Sequence, residues 1–154
     1  GVIGVIAPMI NNKKQCEEFV SYCYYPPLGQ RSFGPMRAQL VYGSNYFEEA
    51  NNNIISLAMI ETKEGVENLD GILSVPGLTG VYIGPADMCS SYGLKPQFDP
   101  RDKQIYSNIE LIAKKALQTI HSKCSGSGSN SIPFRLTSRE SRLRPATCPR
   151  TPSR

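Results

Sequence analysis

The sequence predicts an α/β fold with parallel strands, and three observations carry that expectation. Short apolar runs rich in β-branched residues lie at residues 2–9, 54–61 and 79–84. Continuous runs of this kind suit strands buried on both faces, as in a parallel sheet. Helical periodicity follows each run, which gives the order β-α-β-α-β-α. Right-handed crossovers then align the strands in parallel. Three such units are too few for a closed eight-stranded barrel but would fit as a contiguous piece of one. Periodicity alone does not separate that from part of an open sheet.

The first strand, VIGVIAPM, stops at Pro8. Asn11 or Asn12 then caps a helix through about Tyr22, with Cys16, Phe19, Val20 and Cys23 on one face. YYPPLGQRSFGP, residues 24–35, is rich in turn residues and reads as loop, its Arg31 as structural, as is Arg37 just beyond it. YFEEANNN, residues 46–53, makes a short helix. IISLAMIE forms the second strand and ends in Glu61, and Thr62 caps a helix from Lys63 to about Leu73 that buries Val66, Leu69, Ile72 and Leu73. After Pro76-Gly77 the third strand runs into Pro85-Ala86-Asp87. Ile105, Ile109, Ile112, Ala116 and Ile120 form the apolar stripe of a helix over 103–120.

Composition excludes several classes of function. The chain has 154 residues and a formal charge of +4, which invites a nucleic-acid reading. Residues 1–120, however, carry ten Lys/Arg against twelve Asp/Glu, whereas residues 121–154 carry seven against Glu140 alone. The basic character therefore belongs to a Ser/Arg/Pro-rich tail, expected to be disordered, with the boundary near His121. RLTSRESRLRP lacks aromatic residues for base stacking, so no nucleic-acid partner is expected. No run approaches the ~18–20 apolar residues of a membrane span, and GVIGVIAPMI lacks the basic region of a signal peptide. The five cysteines form no CxxC pair and His121 is the sole histidine, so neither a zinc site nor a Cys/His nucleophile is expected. Reduced thiols in a cytoplasmic protein are the simplest reading.

Ligands of α/β folds bind at the carboxyl ends of strands. Glu61 ends the second strand, and Asp87 follows the third. On neighbouring strands the two carboxylates converge and repel unless a cation neutralises them or one is protonated. Hard oxygen donors in small number suit Mg²⁺ or Mn²⁺, with water and substrate oxygens completing the shell. The plainer alternative is that each acid caps the helix after it. Gly84 permits a tight turn and close approach of a ligand, and the amides of Ala86 and Asp87 suit a carboxylate if they open a helical turn.

APMINN, YYPPLGQRSFGP, NYFEEANNNI, MIETKEGVENLDGILSVPGLTGVYIGPADM and SSYGLKPQFDP, in order and spacing, resemble the HpcH/HpaI aldolase/citrate lyase family over about residues 1–120. The resemblance implies a metal-dependent (class II) 2-oxo-acid aldolase, built on about strands 4–6 of a (β/α)8 TIM barrel. It implies divalent metal on Glu61 and Asp87, and pyruvate carboxylate on the amides of Ala86 and Asp87. The metal's role there is that of a Lewis acid in splitting 4-hydroxy-2-oxo acids into pyruvate and an aldehyde. Many members carry Gln where this chain has Met59. The family's catalytic His and carboxylate-binding Arg fall on earlier strands absent here, so no catalytic residue is assigned. His121 stands in the wrong place to replace the former. The expected chain is thus an incomplete, inactive piece of an aldolase, homo-oligomeric when complete, with a tail that reads as an extension or a gene-model artefact. Two alternatives remain: an acyl-CoA ester lyase of the same superfamily, and a non-catalytic basic-tailed interaction module.

Overall fold

A computed structural model describes the backbone of residues 1–126 and the side chains through Thr119. Three strands, β1 (Gly4–Ala7), β2 (Ile55–Ile60) and β3 (Gly80–Ile83), form one parallel sheet in the order β1-β2-β3. The crossover from β1 to β2 holds α1 (Lys13–Cys23), α2 (Met36–Tyr42) and α3 (Tyr46–Asn53). Between β2 and β3 lie α4 (Lys63–Glu67) and α5 (Leu69–Leu73); α6 (Pro85–Ser91) and α7 (Lys103–Gly126) follow β3. Each strand is thus followed by helix, and sequential strands are neighbours.

Local chemistry starts these helices. The Asn12 side chain accepts a hydrogen bond from the Gln15 amide at 3.0 Å, and Thr62 Oγ1 accepts one from the Gly65 amide at 3.0 Å. Asp102 Oδ1 likewise receives the amides of Gln104 and Ile105 at the start of α7. One expected helix is in fact two, because Asn68 adopts φ −94° and ψ 10° between α4 and α5. Its side chain donates to the Asn11 carbonyl at 2.9 Å, tying the break to the start of α1. Helix α2 was not expected. Only Ala38 of its residues is buried, while Met36, Leu40 and Val41 are exposed, and a seven-residue helix is too short for periodicity to mark it. Helix α7 continues through His121 to Gly126, past the compositional boundary. The side chains of Ile120, His121 and Cys124, and the tail from residue 127, lie outside the described residues.

The core occupies one face of the sheet. Ala58, Ile60 and Val81 meet Cys16 and Val20 of α1, Leu69, Ile72 and Leu73 of α5, Met88 and Cys89 of α6, and Ile105, Ile112 and Ala116 of α7. Val66 and Ile109, both expected on apolar faces, are partly buried against this cluster. The expectation of strands buried on both faces is corrected here. In β2 buried Ser56, Ala58 and Ile60 alternate with half-buried Ile55, Leu57 and Met59. Register pairs Ile6 with Leu57 and Met59 with Tyr82, and Ile6 and Tyr82 are 43% and 47% exposed. The helices connecting the strands cover one face, and no layer of the described residues covers the other.

A second cluster joins Tyr25, Ala38, Tyr46 and Ala50 over the loop that follows α1. Arg31 supports it as the sequence reading anticipated. Its guanidinium carbon sits 4.5 Å from the centroid of Tyr25, and Nη2 donates to the Tyr46 hydroxyl at 2.7 Å. Asn51 closes the loop on the other side, accepting the Tyr25 amide at 2.7 Å and donating to the Tyr25 carbonyl at 3.1 Å. Arg37 is exposed and takes no part.

One-sided burial predicts unequal costs for truncating two isoleucines. Ile72→Ala, at a fully buried position, should destabilise the chain by about 2–5 kcal/mol in urea unfolding, whereas Ile6→Ala should cost much less. Arg31→Met removes the hydrogen bond to Tyr46 and the stacking on Tyr25, and should lower stability by about 1–3 kcal/mol in the same measurement.

Candidate active site

Glu61 is the residue directly after β2, so strand alternation places its side chain on the face that carries Leu57 and Met59. It is only 3% exposed, and a buried carboxylate requires donors. The Met9 backbone supplies one, its N–H lying 2.7 Å from Glu61 Oε1. The next amide, of Ile10, donates to the Met59 carbonyl at 3.3 Å, so successive N–H groups fasten the end of β1 to the end of β2. Met9 achieves this with φ 56°, a left-handed conformation that costs a residue bearing a Cβ about 1–2 kcal/mol.

Gly84 stands on the opposite side of the carboxylate. Its N–H donates to the Ile60 carbonyl at 3.2 Å, which draws the start of α6 against the end of β2. A Cβ at position 84 would lie 2.8 Å from Glu61 Cβ and would overlap Oε2. The glycine flagged for close approach of a ligand is therefore needed first for close approach of Glu61. Among the described residues Oε2 has no hydrogen-bond partner, and none of their side-chain oxygens is both buried and without a partner. Oε2 therefore keeps some accessible surface within a residue that is only 3% exposed.

Asp87 lies three residues beyond Gly84, exposed in the first turn of α6, and Ala86 is half-buried beside it. Since β2 and β3 are direct neighbours, the two acids follow adjacent strand ends at the carboxyl edge of the sheet. Neither acid caps the helix after it through its side chain. Thr62 performs that task for α4, and α6 has no side-chain cap. Among the described residues no group of three or more His, Cys, Asp or Glu could hold a metal. Two carboxylates with water and substrate oxygens suit Mg²⁺ or Mn²⁺, which dehydrate reluctantly and take few protein ligands. The donor set therefore fits such an ion.

Other groups are structural. Cys16, Cys23 and Cys89 are buried thiols in no disulfide, and burial pushes the Cys23 thiol up despite the nearby Arg31. A raised thiol is a poor nucleophile at neutral pH. No helix among the described residues is long and apolar enough to cross a membrane. The reading of the residues missed the Met9 amide, for which APMINN carries no composition signal, because a positive φ at Met is not a propensity.

Known proteins match this chain in sequence and in fold. The sequence model of the HpcH/HpaI aldolase/citrate lyase family matches residues 1–131. A hydroxypyruvate/pyruvate aldolase of Rhizorhabdus wittichii is 42% identical over 116 residues, covering 75% of this chain and 46% of its own length. A 2-keto-3-deoxy-L-rhamnonate aldolase of Salmonella paratyphi B is 42% identical over 96 residues, covering 60% of this chain and 36% of its own. The crystal structure of an HpcH/HpaI aldolase from Desulfitobacterium hafniense superposes with a TM-score of 0.67 at 29% identity, covering 77% of this chain and 46% of that one. The chain thus spans about half the length of these relatives or less. Its sequence and its fold together place the chain in the HpcH/HpaI aldolase/citrate lyase family.

Proposed function

We propose that this chain carries the divalent-metal site of a 2-oxo-acid aldolase that cleaves 4-hydroxy-2-oxo acids to pyruvate and an aldehyde. The observation behind this reading is the pair Glu61 and Asp87 at the ends of adjacent parallel strands, in a chain whose relatives include pyruvate-type aldolases. Strands β1–β3 would stand as about the fourth to sixth strands of a (β/α)8 barrel, with their carboxyl ends at its catalytic face.

The residues divide the work by their placement. Glu61 and Asp87 hold Mg²⁺ or Mn²⁺, which when bound supplies Lewis acidity toward a 2-oxo acid. Glu61 offers the metal Oε2, since Oε1 is engaged by Met9. The amides of Ala86 and Asp87 open α6 and orient the pyruvate carboxylate. Met59, on the same face two residues before Glu61, presents an apolar side chain to the substrate and leaves recognition of its polar groups to other residues.

Glu61→Gln and Asp87→Asn should each weaken Mn²⁺ binding to this chain by at least about 10-fold, measured by titration with detection of free Mn²⁺. In the intact gene product the same variants should lose metal-dependent release of pyruvate from 4-hydroxy-2-oxo acids. Unchanged Mn²⁺ affinity in both variants would remove the site assignment.

A further inference from the structure

We propose that Met9 is a positioning residue for the metal site, acting through its backbone. Its left-handed φ sets the angle between two successive amides, so that the Met9 N–H can hold Glu61 Oε1 while the Ile10 N–H meets the Met59 carbonyl, and this reserves Oε2 for the cation. The inference rests on the reading of Glu61 as a metal ligand and adds to it the device that orients that ligand.

Three observations carry it. First, Met9 is 51% exposed, so packing of its side chain does not explain a backbone conformation that L residues avoid. Second, that conformation delivers two successive amides to β2, Met9 N–H to Glu61 Oε1 at 2.7 Å and Ile10 N–H to the Met59 carbonyl at 3.3 Å. Strain kept at one residue is matched by a buried carboxylate held in one orientation. Third, Gly84 closes the other side. Glu61 Oε2 sits where a Cβ of residue 84 would be, so the carboxylate cannot be shared with a bulkier neighbour. One oxygen is therefore held by a protein donor and the other has no hydrogen-bond partner among the described residues, an arrangement that suits a monodentate ligand with a protein donor behind it.

A donor behind a ligand is tested by removing the donor and leaving the side chains alone. A synthetic peptide of residues 1–15 joined to residues 16–154 at Cys16 allows the Met9 amide to be replaced by an ester, which deletes one N–H. Expected is a loss of about 10- to 100-fold in Mn²⁺ affinity, with an altered Mn²⁺ EPR spectrum. Met9→Gly keeps the N–H and favours positive φ, so it should bind Mn²⁺ like the parent chain. Met9→Val disfavours positive φ and should fall with the ester, with far-UV circular dichroism reporting the fold of each variant. Parent-like affinity in the ester, or in a folded Met9→Val chain, overturns the positioning role. So does a Met9→Gly chain as weak as the ester, since the side chain would then be responsible. Failure of the underlying reading looks different: Glu61→Gln would bind Mn²⁺ as well as the parent.

Discussion

The hydrogen bond from the Met9 amide to Glu61 joins points 52 residues apart, and the arrangement of the strand ends hangs on it. A carboxylate that is 3% exposed has given up most of its water and needs fixed donors in return. The donor is in reach because β1 and β2 pair in parallel, with Ala7 opposite Ala58, and β2 runs two residues past the end of β1, so the chain leaving β1 passes beside the end of β2. Chain leaving β1 must then turn within two residues to place an N–H beside Glu61. Holding that N–H there while the next one meets the Met59 carbonyl sets the positive φ at Met9, and the chain then enters α1 through Asn11 and Asn12.

The same edge organises the crossover helices. Thr62, next to Glu61, caps α4 and hydrogen-bonds to the Asn11 side chain, while Asn68 bonds the Asn11 carbonyl. Gly65 lets the Ile10 carbonyl approach, since a Cβ there would lie 2.9 Å from that oxygen. Gly84 does the equivalent for Glu61 on the other flank. Glycine thus appears where backbone and side chain crowd around the strand ends, which is a packing requirement before it is a ligand requirement.

Much of this was legible in the chain. The apolar runs located all three strands within a few residues, Thr62 marked its helix as a cap, and of Asn11 and Asn12 the structure chose Asn12. The MIETKEGVENLDGILSVPGLTGVYIGPADM block carried the family, and the residues at its strand ends carried the candidate site. What escaped has physical reasons. Helix α2 has only seven residues, with Met36, Leu40 and Val41 exposed, too short a segment for periodicity to announce it. The split between α4 and α5 depends on Asn68 reaching Asn11, a contact 57 residues away. One-sided burial escaped because an apolar run reads alike whether a second layer covers it or not.

The sequence by itself determined the strand–helix alternation, the placement of an acid after each of two strands, and the segregation of basic charge into residues 121–154. These follow from side-chain type and spacing, which are local. Only the tertiary structure decided that β2 and β3 are neighbours, that Glu61 is buried with one oxygen held and one free, and that Met9 supplies the donor. Those facts depend on register and on a backbone angle at one residue. Both are set by contacts between segments far apart in the chain, which no local pattern encodes.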